Sequence, residues 1–342
     1  SRTCASMCTT RILSSWSRAE KYAVIGELAQ SKRAFVLTGY ILAKKADRLK
    51  NELEKRFDLA VEFTNCDPAV DPPIVLQNHP FSAPVEGVLE SFGLPGRGEV
   101  DPCSVMSIFY YVLFGLMLSD AAYGLLVVIG CGVALLKFKN MESGMRKTLQ
   151  MFFFCGISTT FWGFMFGSFF GDLVGVVATT FFGRPDIVLG PIWFEPVKDP
   201  MRMLVFSMLI GIIHLFAGLA IKAYQYAKQG AWLDILYDVV FWYMLLTGLV
   251  VFALSNSMFV GILQLSFILP SLAGTIGIIV AGIGAIGILA TAGRESRSPF
   301  KRLLKGAYGL YGVTGYLSDI LSYSRCSRLI AVHFSGQVVL SF

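Results

Sequence analysis

From residue 105 onward the chain is a succession of long apolar runs separated by short polar connectors. The runs cover 105–136, 149–180, 203–222, 235–254, 258–292 and 303–342. A membrane-crossing helix needs about 20 predominantly apolar residues, so the first, second and fifth runs are too long for one simple span. The first hundred residues are patterned differently. Residues 17–33 place Tyr22, Ile25 and Leu28 on one helical stripe, and 34–42 is rich in β-formers. Residues 44–57 form a charged amphipathic helix with Ala46, Leu49, Leu53 and Phe57 on one side, and 59–63 is a second strand candidate. The pattern predicts a helix followed by a small β-α-β unit. Prolines 68, 72, 73, 80, 84, 95 and 102 then predict an extended connector lying against another part of the protein.

The connectors divide the long runs. Residues 137–147 hold Lys137, Lys139, Arg146 and Lys147, and 294–305 hold Arg294, Arg297, Lys301, Arg302 and Lys305. The connector after Lys222 adds Lys228. In 181–201, Arg184 and Lys198 are offset by Asp186, Glu195 and Asp199, and 255–270 carries no Lys or Arg. Positive residues mark the cytoplasmic side, so the first three connectors are expected inside and the last two outside. The basic N-terminal part is expected inside as well. The run 105–136 must then start and end on one side, as a tight hairpin of two short helices turning near 120–124. The expected spans are about 105–119, 122–136, 149–176, 203–222, 235–254, 272–292 and 303–342. Residues 258–270 are expected as an external or interfacial piece.

Composition agrees with this class. The chain of 342 residues is 55% hydrophobic and 15% charged, with a mean hydropathy of +0.63. A soluble domain is nearer one quarter charged. The net charge of +6 sits in connectors and in the first hundred residues, which argues against nucleic acid as a partner. The seven cysteines (Cys4, Cys8, Cys66, Cys103, Cys131, Cys155, Cys326) show no C-x-x-C spacing, and His79, His214 and His333 are far apart. No disulfide framework, metal site or cofactor is expected. The expected class is an all-α polytopic membrane helix bundle of about seven spans with a small α/β cytoplasmic N-terminal portion. The expected division is 1–67, a connector at 68–102, and a membrane domain at 103–342.

Several polar residues fall inside the apolar runs: Asp120, Asp172, His214, Asp319 and Arg325, with Arg328 three residues further on. A charge at bilayer depth costs about 2.5–3.5 kcal/mol on insertion scales, so such residues usually serve ion movement, pairing or gating. Singly, each is also readable as a helix cap or a buried hydrogen bond. On a helix Asp319, Ser322 and Arg325 share one face, which Arg328 continues. An arginine that keeps its proton can attract a carboxylate on a moving partner. An Asp–Arg pair that merely neutralises itself is the plainer alternative. The match of Gly282-Ile-Gly-Ala-Ile-Gly287 to a dinucleotide fingerprint has no strand before it, so close helix packing is the expected role.

Between about 34 and 325 the chain resembles subunit a, also called subunit I, of the rotary V-type and archaeal A-type ATPases, in its prokaryotic form. The resemblance is carried by Phe35-Val-Leu-Thr-Gly-Tyr40, Val100-Asp-Pro102, Leu113-Phe-Gly-Leu-Met-Leu-Ser-Asp-Ala-Ala-Tyr-Gly124 and Phe166-Gly-Ser-Phe-Phe-Gly-Asp172. Gly190-Pro-Ile-Trp-Phe-Glu-Pro196, Gly211-Ile-Ile-His214 and Leu310-Tyr-Gly-Val-Thr-Gly-Tyr-Leu-Ser-Asp-Ile-Leu-Ser-Tyr-Ser-Arg325 complete it. It implies a membrane stator, not catalytic by itself, that faces a ring of c-subunits and supplies two half-channels for protons or sodium. It implies contacts with peripheral stalk subunits, a central stalk socket subunit and the lipid bilayer, at the cell membrane. It places the essential arginine at Arg325, or at Arg328 in an alternative register, and assigns Asp120, Asp172 and His214 to a half-channel lining. It also implies that most of the N-terminal domain and the eighth, last span are absent. A secondary solute or ion transporter with an intramembrane charged site is the alternative, although no internal repeat is visible between the halves.

Overall fold

A computed structural model describes residues 29–30, 35–64, 73–96, 98–170, 180, 190–196, 198–264, 267–291, 293–294 and 299–325. The chain divides into two units, Ser1–Ile74 and Val75–Phe342. In the first, β1 (Ala29–Gln30) pairs antiparallel with β2 (Phe35–Val36), and α1 (Ala43–Arg56) follows. The α1 surface carries Arg48–Glu52 and Lys50–Glu54 pairs at four-residue spacing, at 3.2 and 3.9 Å. Such exposed pairs contribute a few tenths of a kcal/mol each. The expected order changes here. Residues 29–30 are strand where helix was expected to reach residue 33, and residues 59–63 form no strand. β2 takes its partner from the segment before it, so the β-α-β unit is replaced by a strand pair and a helix. Residues 17–28 lie outside the described part.

The second unit is a helical bundle. A 3₁₀ turn (Ala83–Val85) and α2 (Glu86–Phe92) interrupt the expected extended connector. There follow α3 (Cys103–Leu118), α4 (Ala121–Lys137), α5 (Ser143–Phe166), α6 (Pro200–Lys228) and α7 (Trp232–Ser255). A π turn, Leu236–Val240, lies within α7. Then come α8 (Ser257–Ile262), α9 (Ser271–Thr291) and α10 (Pro299–Ser322). Four of these, α5, α6, α7 and α9, are long and apolar enough to cross a membrane. The apolar α3 and α4 are shorter, at 16 and 17 residues. At 1.5 Å per residue they span about 24–26 Å. α5 stops at Phe166, ten residues before the expected end of that span, because Gly167 takes φ 72° and turns the chain out of the helix.

Close backbone approach sets the packing around α5. A Cβ on Gly163 would lie 2.0 Å from the Ala121 nitrogen, so no larger residue fits there. Gly124 meets Thr160 and Gly156, and Ala121 meets Gly163, so α4 runs antiparallel to α5. Tyr111 clusters with Met151 and Cys155, and Gly115 meets Ser158, so α3 runs parallel to α5. The chain therefore reverses between α3 and α4, yet both helices pack on α5. In the other half, α9 buries Gly274, Gly277, Ala281, Gly284 and Ile288, a three-four spacing that forms one seam. This seam lies against α7, where Gly248 faces Gly277 and Ala281. Gly284 of the fingerprint-like stretch belongs to the seam, whereas Gly282 faces open space. Small residues allow this contact, which is a common basis of helix association in lipid.

The reversal itself rests on Asp120. Its Oδ1 accepts the backbone N–H of Ala122 at 3.0 Å, of Tyr123 at 3.1 Å and of Phe170 at 3.1 Å. Its Oδ2 accepts the Ser168 hydroxyl at 2.9 Å, and Ala121 N–H reaches the Ser168 carbonyl. Asp120 is fully buried. Replacing Asp120 by Ala is expected to lower stability by about 3 kcal/mol, because it removes the cap and leaves buried donors unmatched. Asp120→Asn, which keeps one acceptor oxygen, should cost less. Thermal unfolding of the solubilised protein, run on both variants, checks this order.

Candidate functional site

α6 and α10 lie side by side in antiparallel order and enclose an open pocket of about 390 Å³. Its walls include His214, Gly218 and Lys222 from α6, and Asp319, Ser322 and Tyr323 from α10 and the turn after it. The spacing explains the α6 side. Residues 214, 218 and 222 recur every four positions and so share one helix face. On α10, residues 319 and 322–323 recur one turn apart. Of the residues singled out from sequence, three meet here: His214, Asp319 and Ser322.

The contact between the two helices is specific. His214 Nδ1 hydrogen-bonds the Tyr323 hydroxyl, with the donor set by the His tautomer. The imidazole also stacks on Phe109 of α3, with ring centroids 4.4 Å apart. Gly211 makes room for the Tyr323 ring, since a Cβ at Gly211 would lie 2.5 Å from it. His214 is thereby held by one helix on each side. The Ser322 hydroxyl donates to the Asp319 carbonyl at 2.7 Å. Asp319 and Lys222 carry opposite charges on one pocket, yet they form no ion pair with each other or with another described residue. The Lys222 ammonium instead lies 5.7 Å from the centroid of the Tyr226 ring.

Arg325 is exposed, three residues beyond Ser322 and six beyond Asp319, and makes no ion pair among the described residues. It does not line the pocket. Asp120 does not either; its carboxylate serves the α3–α4 reversal. Asp172 and Arg328 lie outside the described residues. Among the described residues, no group of three His, Cys, Asp or Glu side chains is placed to hold a metal ion. Lys222 and Tyr323 were not singled out from sequence. The signal for Lys222 was available: a cation eight residues after His214 falls on the same face of one helix. It was read only as the end of a span.

An open pocket between two helices of a bundle, four of whose helices are long and apolar enough to cross a membrane, fits a polytopic helical membrane protein. The comparisons with known proteins are more specific. No family model matches the chain. It is 28% identical over 92% of its length to A-type ATP synthase subunit I of Methanocaldococcus jannaschii, covering 46% of that protein. It is 24% identical over 91% of its length to A-type ATP synthase subunit I of Pyrococcus horikoshii, covering 44% of it. V-type ATP synthase subunit I of Chlamydia trachomatis is 23% identical over 90% of the chain, which covers 52% of that protein. The chain is thus similar to subunit I proteins of A-type and V-type ATP synthases, and spans about half the length of those compared.

The α6–α10 contact has a direct check. Gly211→Val is expected to displace Tyr323 and lower stability by about 2 kcal/mol through overpacking. Gly218→Val, at a position with nothing within 4 Å of its Cβ, should leave stability within about 0.5 kcal/mol. Equal effects of the two substitutions on thermal unfolding would contradict the packing described.

Proposed function

We propose that the chain is the membrane stator portion of a rotary A-type or V-type ATP synthase, moving protons or sodium ions against a ring of c-subunits. It is not catalytic by itself in this reading. The observation that carries the proposal is the polar end of α10. Asp319 and Ser322 are exposed near the end of α10, and Arg325 is exposed three residues beyond it, next to helices long and apolar enough to cross a membrane. Lipid is a costly neighbour for an arginine at that depth, whereas a carboxylate on a moving ring is a favourable one. Arg325 is the essential arginine of this reading, with Arg328 as the alternative in the shifted register.

The α6–α10 pocket belongs to a half-channel in this proposal. His214, Asp319 and Ser322 line it, and Lys222 and Tyr323 join them. Unpaired charges of opposite sign make a space that favours water over lipid. Asp172 remains assigned to a half-channel by resemblance alone, and Asp120 acts one step removed, by holding α4 and α5 in place. The N-terminal part faces the cytoplasm and meets the peripheral stalk and the central stalk socket. The protein sits in the cell membrane.

The test is ATP-driven ion pumping by the whole complex in vesicles. Arg325→Ala is expected to abolish pumping while the complex still assembles, with Arg328→Ala run beside it to fix the register. Pumping that survives in the double variant sinks the proposal. Gly218→Leu gives a second, independent check on the pocket. Open space at that position means the added side chain fills the pocket without disturbing the helices. Pumping should then fall about tenfold or more, as expected when a polar ion path is closed by an apolar plug. Unchanged pumping in Gly218→Leu would remove the pocket from the ion path.

A further inference from the structure

Among the described residues two carboxylates are buried, Asp120 and Glu86. The ion path described above uses neither directly, and Glu86 has no part in the α3–α4 reversal. Its side chain is 5% exposed, and its Oε2 accepts the Lys147 ammonium of α5 at 2.6 Å. Its Oε1 accepts the Asn78 side-chain amide at 3.0 Å. The same Asn78 nitrogen donates to Asp101 Oδ2 at 2.7 Å, and Asp101 Oδ1 accepts the Cys103 N–H at the start of α3. The charges thus tie the segment from 78 to 101 to the first turns of both α3 and α5.

Apolar contacts close the same joint. Phe81 stands edge-on to Tyr111 of α3 and Phe154 of α5, at 5.1 and 5.3 Å between centroids. The Tyr111 hydroxyl donates to the Phe81 carbonyl at 3.0 Å, and Val85 is fully buried in the cluster with Tyr111, Met151 and Cys155. A covalent connector needs none of this to link two regions. Glu86 is buried while the Lys147 side chain is 42% exposed, so the pair mainly offsets the cost of burying one carboxylate and adds little net stability. What a hydrogen-bonded, buried charge does supply is fixed geometry: it resists sliding of one element along another.

We propose that this clasp is the joint that transmits turning force between the cytoplasmic portion and the membrane helices, with Glu86 as its central acceptor. The inference rests on the stator reading. A stator must hold its membrane helices still while a ring turns against them, and the chain enters those helices through this segment. Glu86 is a positioning residue in this role; it touches no ion.

The measurement is ions moved per ATP hydrolysed, in vesicles carrying the whole complex, at increasing opposing ion gradients. Glu86→Gln and Lys147→Met are expected to leave the amount of chain in the membrane and the rate of hydrolysis nearly unchanged. The ratio of ions to ATP should fall several-fold, and fall further as the opposing gradient rises. Lys147→Arg, which keeps the charge, should retain the unsubstituted ratio. A ratio unchanged at every gradient overturns the proposal. So does pumping that falls only in proportion to the amount of chain, since that is the mark of a merely structural pair. Failure of the stator reading looks different: pumping would then persist when both Arg325 and Arg328 are replaced, whatever the clasp variants do.

Discussion

In a bundle built for lipid, each buried polar group must find its partner inside the protein, and Asp120 is where this constraint organises the fold. A two-residue reversal between apolar helices exposes the first N–H groups of α4 at a depth where water is scarce. Asp120 answers two of them, at Ala122 and Tyr123, and reaches across to Ser168 and Phe170 beyond the end of α5. One side chain therefore fixes the turn, the end of α5 and the start of the next connector together. The close contact of Ala121 with Gly163 depends on that register. So does the stacking of α3 on α5, and with it the position of Phe109, whose ring holds His214.

The helical class of this chain is legible in its sequence because lipid makes apolar length a strong signal. The helix α7 begins and ends within three residues of its apolar run, whereas α6 continues to Lys228, past its run at 203–222, and α9 takes only the second part of the run 258–292. The seam of Gly277 and Ala281 is legible too, since small residues at helical spacing have few other uses in such a run. The N-terminal strands were harder. The short segments 34–42 and 59–63 are both rich in β-formers, and pairing decides between them. β2 found its partner in residues 29–30, upstream of the helix. Local pattern carries no record of that choice.

The site was partly legible for a related reason. His214, Asp319 and Ser322 stand out because polar residues are rare in apolar runs, but rarity does not tell which of them meet. Asp120 stood out equally and serves a turn. Lys222 was hidden by its place near a helix end, where lysines commonly reach for the interface. Its alignment with His214 at eight residues lay inside the expected span 203–222, but a lysine closing a span reads first as an interface anchor. Glu86 was hidden differently: a proline-rich segment gives no periodic pattern, and its meaning lies in Lys147, sixty-one residues away.

The two buried carboxylates and the exposed arginine follow one rule, that charge in a membrane protein is kept where it has a partner. Asp120 finds backbone N–H groups and Glu86 finds Lys147 and Asn78, all within the chain. Arg325 finds no acid among the described residues, and Asp319, six residues before it, does not pair with it. The neighbouring surface of α10 is also unusual, with Tyr308, Tyr311, Gly315 and Ser322 along one exposed line toward Arg325. Small and hydroxyl-bearing residues suit a surface that slides past a protein neighbour better than one solvated by acyl chains. A fixed partner would be expected to bury this face and neutralise the charge once. In the proposed stator reading, a succession of identical acidic partners, each arriving and leaving, would need the arginine to stay open and the face beside it to stay smooth.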